Sequence, residues 1–340
     1  MGDAGAIKAP GAGEVSVKML AAPLNTSDFN MVEGTYGIKA KLPAVGGNEG
    51  VAVVTGVGSG VTGISENDWV IPSSPGFGTW REGAVAKADS LLKVPNDIPA
   101  AYAATLAVNP ATAYRLLRDF GALKPGDVIM QNGANSMVGL AVIQMAKELG
   151  IKTVNIVRSD RPDVDKTLRL LNNFGGDVNV PDFYVGTPAF KEIMGDMAPC
   201  KVAYNCVGGD VVLDMARSLP KGATIVTYGG MSKKAVELPA DLITSKGLNL
   251  EGFWMSDWND KASKADREAM LAEIAGAVKA KKLNFLYELH DFDDFAHAVK
   301  TSLTPFNLRK VVLNMDVPDR MQEHDARDKK DWEVFEAPAV

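Results

Sequence analysis

Two arginines follow a short apolar run closely: Val157 passes directly into Arg158, and Arg161 comes three residues later, with Asp160 between them. Guanidinium groups at the end of the second strand of a βαβ unit suit a ribose 2′-phosphate, whereas an acidic side chain there would suit free ribose hydroxyls. The residue types therefore favour NADPH over NADH. A solvated basic loop after an ordinary βαβ unit is the plain alternative. About twenty residues upstream of that strand end, Gly133-Ala134-Asn135-Ser136-Met137-Val138-Gly139 turns the chain. Small residues in such a turn let backbone N–H groups approach a pyrophosphate, whose charge a helix N-terminus favours. Asn135, Ser136, Met137 and Val138 are the candidate contacts. The full G-x-G-x-x-G pattern is absent, so the signal lies in the turn's position between a strand and a helix. Other chemistry is sparse. His290, His297 and His324 all lie late in the chain, and Cys200 with Cys206 supply neither a disulfide framework nor a four-ligand zinc site. Tyr36, in the loop from Met31 to Gly37, reads from the residues alone as an aromatic covering a cleft.

The elements that must position these residues fall into two styles. Asp127 to Asn132 is an apolar run fit for a buried parallel strand, Leu140, Val142, Ile143 and Ala146 continue a helix that stops at Gly150, and Thr153–Val157 is the next strand. Further helices are predicted at Lys166–Phe174 and Asp210–Leu219, and strands at Val202–Val207 and Ala223–Tyr228. Alternating strand and helix over about 111–250 predicts a doubly wound α/β domain. Its loops after Asn132, Val157, Gly208 and Tyr228 leave the carboxyl ends of parallel strands, the edge where open α/β sheets bind ligands. The N-terminal part is β-rich instead. Val15–Leu20 alternates as a half-buried strand does, and Asn25–Asp28 reads as a turn or helix cap. Gly46 to Val61 is glycine-punctuated, as in the bent strands of a small barrel. Asp68–Pro72, Ala84–Val85 and Leu91–Val94 complete that half. An alanine-rich helix from Ala100 is interrupted at Asn109-Pro110. Late in the chain, Lys264–Lys282 reads as an amphipathic helix and Val311–Leu313 as a strand.

Bulk properties bound the function. A chain of 340 residues is long for one core. Its 46% hydrophobic and 23% charged content is that of a globular enzyme, and a net charge of −6 argues against nucleic acid as a main partner. No apolar run approaches the roughly 20 residues that a membrane span needs. Neither an apolar signal segment nor an Arg-rich leader opens the sequence.

The order of a β-rich half, an α/β half and a return to the first resembles the medium-chain dehydrogenase/reductase superfamily, and within it the mitochondrial trans-2-enoyl thioester reductases. The resemblance rests on Pro23–Asn30, Glu33–Tyr36, Gly46-Gly47-Asn48-Glu49-Gly50, Asp68–Ser73, Phe77–Arg81, Val108–Tyr114, Asn205–Gly209, Tyr228–Met231 and Gly252-Phe253-Trp254. Two departures stand out. Met137 replaces a glycine or alanine in the turn, and the loop Arg158-Ser159-Asp160-Arg161 is one residue longer than usual. The resemblance implies a GroES-like β-rich catalytic domain (1–110 and 252–340, with a charged tail at 316–340) and a Rossmann cofactor domain (111–251).

It also implies roles. The zinc branch of the superfamily carries a histidine where Asn48 stands, so no metal is expected. Tyr36 is implied as the acid: an unperturbed phenol titrates near pH ~10, keeps its proton at neutrality and can give it to an enolate. Asn109, Tyr228, Gly229, Gly230, Met231, the Phe253-Trp254-Met255 segment and Lys310 are implied as NADPH contacts. From the residues alone, Asn109 is equally a helix cap, Phe253–Met255 an apolar plug and Lys310 a solvated surface lysine. Phe77, Trp80 and Trp254 are open to two readings, acyl channel or core. The implied reaction is NADPH-dependent reduction of 2-enoyl thioesters of acyl carrier protein or coenzyme A, by a mitochondrial homodimer. Alternatives are a zinc-free quinone or alkenal reductase, and an NADPH-binding partner protein without catalysis.

Overall fold

The computed structural model describes residues 7–315; the charged tail expected at 316–340 lies outside the described residues. The chain divides into two compact units, Met1–Ala111 with Ser256–Val340, and Thr112–Met255. In chain order the first unit begins with β1 (Glu14–Pro23), α1 (Thr26–Val32), β2 (Val51–Val57), β3 (Trp69–Pro72), β4 (Gly83–Lys87) and β5 (Leu91–Val94). Helices α2 (Ala100–Ala104) and α3 (Asn109–Asp119) follow. The second unit alternates β6 (Val128–Gln131), α4 (Met137–Glu148), β7 (Lys152–Val157), α5 (Val164–Asn173), β8 (Val178–Pro181), α6 (Pro188–Met194), β9 (Cys200–Asn205), α7 (Asp210–Ser218), β10 (Thr224–Thr227), α8 (Ala240–Thr244) and β11 (Asn249–Gly252). The chain returns through α9 (Met255–Lys261), α10 (Lys264–Lys279), β12 (Tyr287–Asp291), α11 (Phe295–Ser302) and β13 (Lys310–Asn314).

The first unit is built on a seven-stranded sheet in the order β12-β13-β1-β2-β3-β5, with β4 also paired to β1. Strand β1 is its spine. Val15, Val17 and Met19 point inward and are fully buried, against Ala52, Val54 and Val70. The register slips between Ser16 and Val17 and again between Met19 and Ala21, and such bulges bend a strand around a small core. Beyond the second slip β13 pairs with β1, Ala22 opposite Leu313, and Ala21 and Ala22, which point to opposite faces, are both fully buried. This is why the strand outruns the alternating pattern that ends at Leu20.

The second unit is a six-stranded parallel sheet in the order β11-β10-β9-β6-β7-β8. Counted within the unit, that order is the dinucleotide-type 3-2-1-4-5-6, read from the far edge, and its direction reverses between β6 and β9. Helices on both faces bury β6 and all of β7 after Lys152: Ile129, Val154 and Val157 are 0% exposed. Each such side chain contributes about 1.5–3 kcal/mol. Helix α4 ends before Gly150, and Ser136 caps its start.

Several details differ from the sequence expectation. The alanine-rich stretch is two helices, and the break falls at Thr105–Val108, before Asn109. Pro110 then sits in the first turn of α3, where its missing N–H costs nothing. Lys281 takes φ +57, so α10 stops at Lys279 rather than Lys282. Strands β8, β11 and β12 and helices α6, α8, α9 and α11 add to the elements read from sequence. β11 is exposed at every position and carries no apolar pattern to read. Among the described residues no helix is long and apolar enough to cross a membrane.

Candidate active site

At the switch point of the parallel sheet the carboxyl ends of β6 and β9 are tied by two asparagines. Asn132 Nδ2 donates to Asn205 Oδ1 at 2.8 Å, and Asn132 Oδ1 accepts the Cys206 N–H at 2.8 Å. The same Asn205 oxygen accepts from the N–H groups of Val207 and Gly208. Both asparagines are fully buried, at 1% and 0% exposure. Each spends its polar atoms shaping the loops that leave the edge. Above them Gly133 takes φ +58, and a Cβ on it would lie 2.5 Å from Cys206 Sγ. Only glycine lets the turn sit this low over β9. Ser136 Oγ then accepts the Gly139 N–H at 3.1 Å and starts α4. The N–H groups of Met137 and Val138 fall in the first turn, where a helix offers them no acceptor. Donors of this kind fit a pyrophosphate.

The two arginines part ways in the structure. Arg158 is exposed beyond β7, its Nε 2.8 Å from Asp160 Oδ1. The Arg161 side chain is 2% exposed, and its Nε and Nη2 fork onto the two oxygens of Asp163 at 2.6 and 3.1 Å. That fork holds the Asp163 carboxyl below the usual carboxylate range. Of the expected phosphate contacts, Arg158 presents its guanidinium outward, while Arg161 braces the loop. Ser159 N–H donates to Asp182 Oδ1 at 3.0 Å, which fixes the strand end from the other side.

Tyr228, Gly229, Gly230 and Met231 run beside Cys206 on the same edge. Tyr228 N–H donates to Asn205 O and Met231 N–H to Cys206 O, both at 2.9 Å. Burial pushes the Tyr228 phenol well above its ordinary value, with the Cys206 thiol beside it adding to the shift. Phe253 N–H donates to Thr227 O at 3.0 Å, and its ring meets Phe120 edge-on with centroids 6.0 Å apart. Trp254 is exposed by 43% and Met255 is buried. Turn, basic loop, Tyr228–Met231 and Phe253–Met255 are therefore all segments of the second unit.

The first unit holds Tyr36, Asn109 and Lys310. Helix α1 is fixed at its start by Asp28, which accepts the Asn25 N–H at 2.7 Å and the backbone and side-chain N–H groups of Asn48 at 2.9 and 2.7 Å. The helix ends at Val32, Gly34 turns the chain at φ +70, and Tyr36 N–H then donates to Asn30 O at 3.1 Å. A buried carboxylate thus sets the helix, and the helix sets the tyrosine.

Asn25 is the hub of a second set. Its Nδ2 donates to Glu49 Oε2 at 2.9 Å, and its Oδ1 accepts from Asn109 Nδ2 at 3.1 Å and from the Lys310 ammonium. Glu49 Oε1 accepts the Val108 N–H at 2.9 Å. Asp28 and Glu49 are each 2% exposed. Burial pushes the Glu49 carboxyl up to about 7, against the pull of the Asn25 amide and the Lys310 charge. Burial also pushes Lys310 down, with Glu49 and Asp28 drawing it back. So Asn109 and Lys310, 201 positions apart, converge on one amide oxygen, and Lys310 is no solvated surface lysine.

The sequence offers Asn25–Asp28 as a turn or helix cap and marks none of Glu49, Asn132 and Asn205 as a site residue. Glu49 had one legible signal, an acid set among glycines in Gly-Gly-Asn-Glu-Gly. Acids in such tight, small-residue surroundings are buried only when paired. Trp80 packs on Phe295 and Phe29, with centroids 5.3 and 6.4 Å apart, and Phe77 packs against the β1–β4 core. Among the described residues no group of three or more His, Cys, Asp or Glu is placed to hold a metal ion.

Two family models match this architecture, the alcohol dehydrogenase GroES-like domain over residues 11–96 and the zinc-binding dehydrogenase over residues 138–275. Together they define the class, a dehydrogenase or reductase with a GroES-like unit and a dinucleotide-type α/β unit. The mitochondrial enoyl-[acyl-carrier-protein] reductase of Xenopus tropicalis is 46% identical over 310 residues, 90% of this chain and 88% of that one. Among solved structures, Etr1p with NADP and crotonyl-CoA matches with a TM-score of 0.80 at 30% identity, over 92% of this chain and 93% of that one. The Etr1p/Etr2p heterodimer of Candida tropicalis, a mitochondrial 2-enoyl thioester reductase, matches with a TM-score of 0.79, 30% identity and the same coverage. The chain belongs to the enoyl-[acyl-carrier-protein] reductase family.

Proposed function

We propose that this protein reduces the 2,3-double bond of trans-2-enoyl thioesters with NADPH, in mitochondrial fatty acid synthesis, on acyl carrier protein or coenzyme A. The observation that carries this reading is the match of nine-tenths of the chain to a relative of that name. NADPH, when bound, supplies a hydride that adds at Cβ. The thioester carbonyl spreads the resulting charge over Cα and oxygen, and the Tyr36 hydroxyl gives Cα its proton. Asp28 serves that step indirectly, by fixing the helix from which the Tyr36 loop hangs.

For the cofactor, the N–H groups of Met137 and Val138 at the Ser136 cap bind the pyrophosphate, with Asn135 beside them in the turn. Arg158 receives the 2′-phosphate on the loop that Arg161 and Asp163 brace. Asn109 and Lys310 are further contacts, oriented by the Asn25 oxygen. Tyr228 to Met231 and Phe253 to Met255 flank the nicotinamide half. The working form is a homodimer.

The test is NADPH oxidation with 2-enoyl thioesters of graded chain length, run beside NADH and beside a quinone. The expected result is turnover of the thioesters with NADPH, and little with NADH or quinone. Turnover of quinone but not of any enoyl thioester would replace this reading with the quinone reductase one, and NADPH binding without any consumption would leave only a binding protein.

A further inference from the structure

The loop Ser73-Ser74-Pro75-Gly76-Phe77, after β3, is held by two arginines from different parts of the chain. Arg81 Nη2 donates to Phe77 O at 2.9 Å, and its guanidinium lies 4.7 Å from the centre of the Phe77 ring. Arg267, from α10, donates through Nη1 to Ser73 O at 2.8 Å. Asn48 Oδ1 takes the Gly76 N–H between them at 2.8 Å. Among the described residues neither guanidinium faces a carboxylate, and the Nε of each is buried without an acceptor. Every other arginine with a described ion pair meets an aspartate at the surface or in its own loop. Burial alone pushes Arg81 below its ordinary value, with nothing opposing it.

Two half-buried cations held against one loop, without a counter-charge among the described residues, are costly unless an anion completes them. Carbonyl oxygens and a ring face satisfy single donors, and neither neutralises the charge. The two anchoring carbonyls are four residues apart, so at most about 14 Å separates them, and the turn at Pro75-Gly76 shortens that. Ser74 and Gly76 at the tip are exposed, which leaves the loop open to a ligand. With each Nε out of reach, the guanidinium nitrogens that the two carbonyls leave over are the donors a phosphate would meet.

We propose that Arg81 and Arg267 form a phosphate subsite on the Ser73–Phe77 loop, which receives the phosphate of the pantetheine arm carried by the thioester substrate. This rests on the enoyl thioester reading above. The arm ends in one phosphate on acyl carrier protein and continues into further phosphates in coenzyme A, so the shared ligand is the pantetheine 4′-phosphate.

The experiment compares crotonyl thioesters of pantetheine, of 4′-phosphopantetheine and of coenzyme A in the native protein, Arg81→Gln, Arg267→Gln and the double variant. The readout is the ratio of kcat/KM with and without phosphate, and separately the Kd of free 4′-phosphopantetheine and free pantetheine by calorimetry. One charge-assisted contact of about 1.4 kcal/mol is a factor of about ten. The native protein is therefore expected to prefer both phosphorylated arms by about tenfold or more, through KM rather than kcat. The double variant is expected to lose that preference, and Arg81→Lys to keep part of it. A preference that survives both substitutions overturns the proposal. So does a native protein that binds the two free arms equally. A preference for coenzyme A alone would assign the site to its adenosine phosphates and overturn the carrier-arm reading. The calorimetric arm stands even if no thioester is reduced, so failure of the activity and failure of the subsite are told apart.

Discussion

Replacing Gly133 by alanine probes the turn at the carboxyl edge of the parallel sheet, between β6 and α4. Two costs are separable. At φ +58 an alanine is left-handed, which costs about 1–2 kcal/mol. Its methyl would also lie 2.5 Å from Cys206 Sγ. That sulfur is buried and cannot easily recede, because the Cys206 N–H is tied to Asn132 Oδ1 at 2.8 Å. Overpacking of this kind costs about 1–3 kcal/mol, for a total of about 2–5 kcal/mol. With Cys206→Ala in the same chain the sulfur is gone, and the next neighbour is Val207 Cγ2 at an ordinary 3.5 Å. Only the backbone cost then remains. Urea unfolding of the native protein, both single variants and the double variant closes the cycle. The expected result is a favourable coupling of about 1–3 kcal/mol, with NADPH binding weakened in Gly133→Ala and partly restored in the double variant. Costs that add to within about 0.5 kcal/mol would refute the close approach of turn and thiol.

Glu49 gives a pH signature. Its folded carboxyl is raised from 4.5 to about 7, so the fold favours the protonated form. The stability it contributes is complete below pH about 4.5 and is lost as pH rises through about 7, some 3 kcal/mol in all. Glu49→Gln should flatten that slope in melting temperature against pH, though not abolish it, because Asp28 is raised by burial too. An unchanged slope would show that Glu49 does not titrate in this window. Ser136→Ala should cost about 1 kcal/mol by removing the cap of α4, and Ser136→Asp should not; equal losses in urea unfolding would count against the capping role. Asp163→Asn should cost about 2–3 kcal/mol, because it removes the charge on which the buried Arg161 fork closes. If its melting temperature matches that of the native protein, Arg161 does not depend on Asp163.

The parts of the fold that sequence disclosed are those where one periodicity dominates. β6 is buried on both faces and reads as an apolar run, β7 follows as the next strand, and α4 is bracketed by Ser136 and Gly150, so this βαβ unit was legible nearly to the residue. The α/β class and the β-rich first half were legible for the same reason. β11 was not, since Asn-Leu-Glu-Gly is exposed throughout and pairs only through its backbone. Helix α6 did carry a readable start, Thr187 as cap with Pro188 next. The site divides along a similar line. Tyr36, Asn109 and Lys310 were named through resemblance, but no local pattern places Lys310 on Asn25, 285 positions away. Long-range polar pairing leaves no period in the sequence. Arg161 shows the opposite limit: its residue type suggested a phosphate, and its burial against Asp163 is a property of packing alone.

The central claim is a hydride from NADPH completed by a proton from Tyr36. The most direct measurement is turnover of crotonyl-CoA by the native protein and by Tyr36→Phe, with NADPH Kd measured on both. NADPH oxidation should match formation of the saturated thioester in the native protein. In Tyr36→Phe, kcat should fall by about 100-fold or more while the Kd for NADPH stays within about twofold. A variant that turns over at a near-native rate, or a native protein that consumes no NADPH with crotonyl-CoA, would contradict the account.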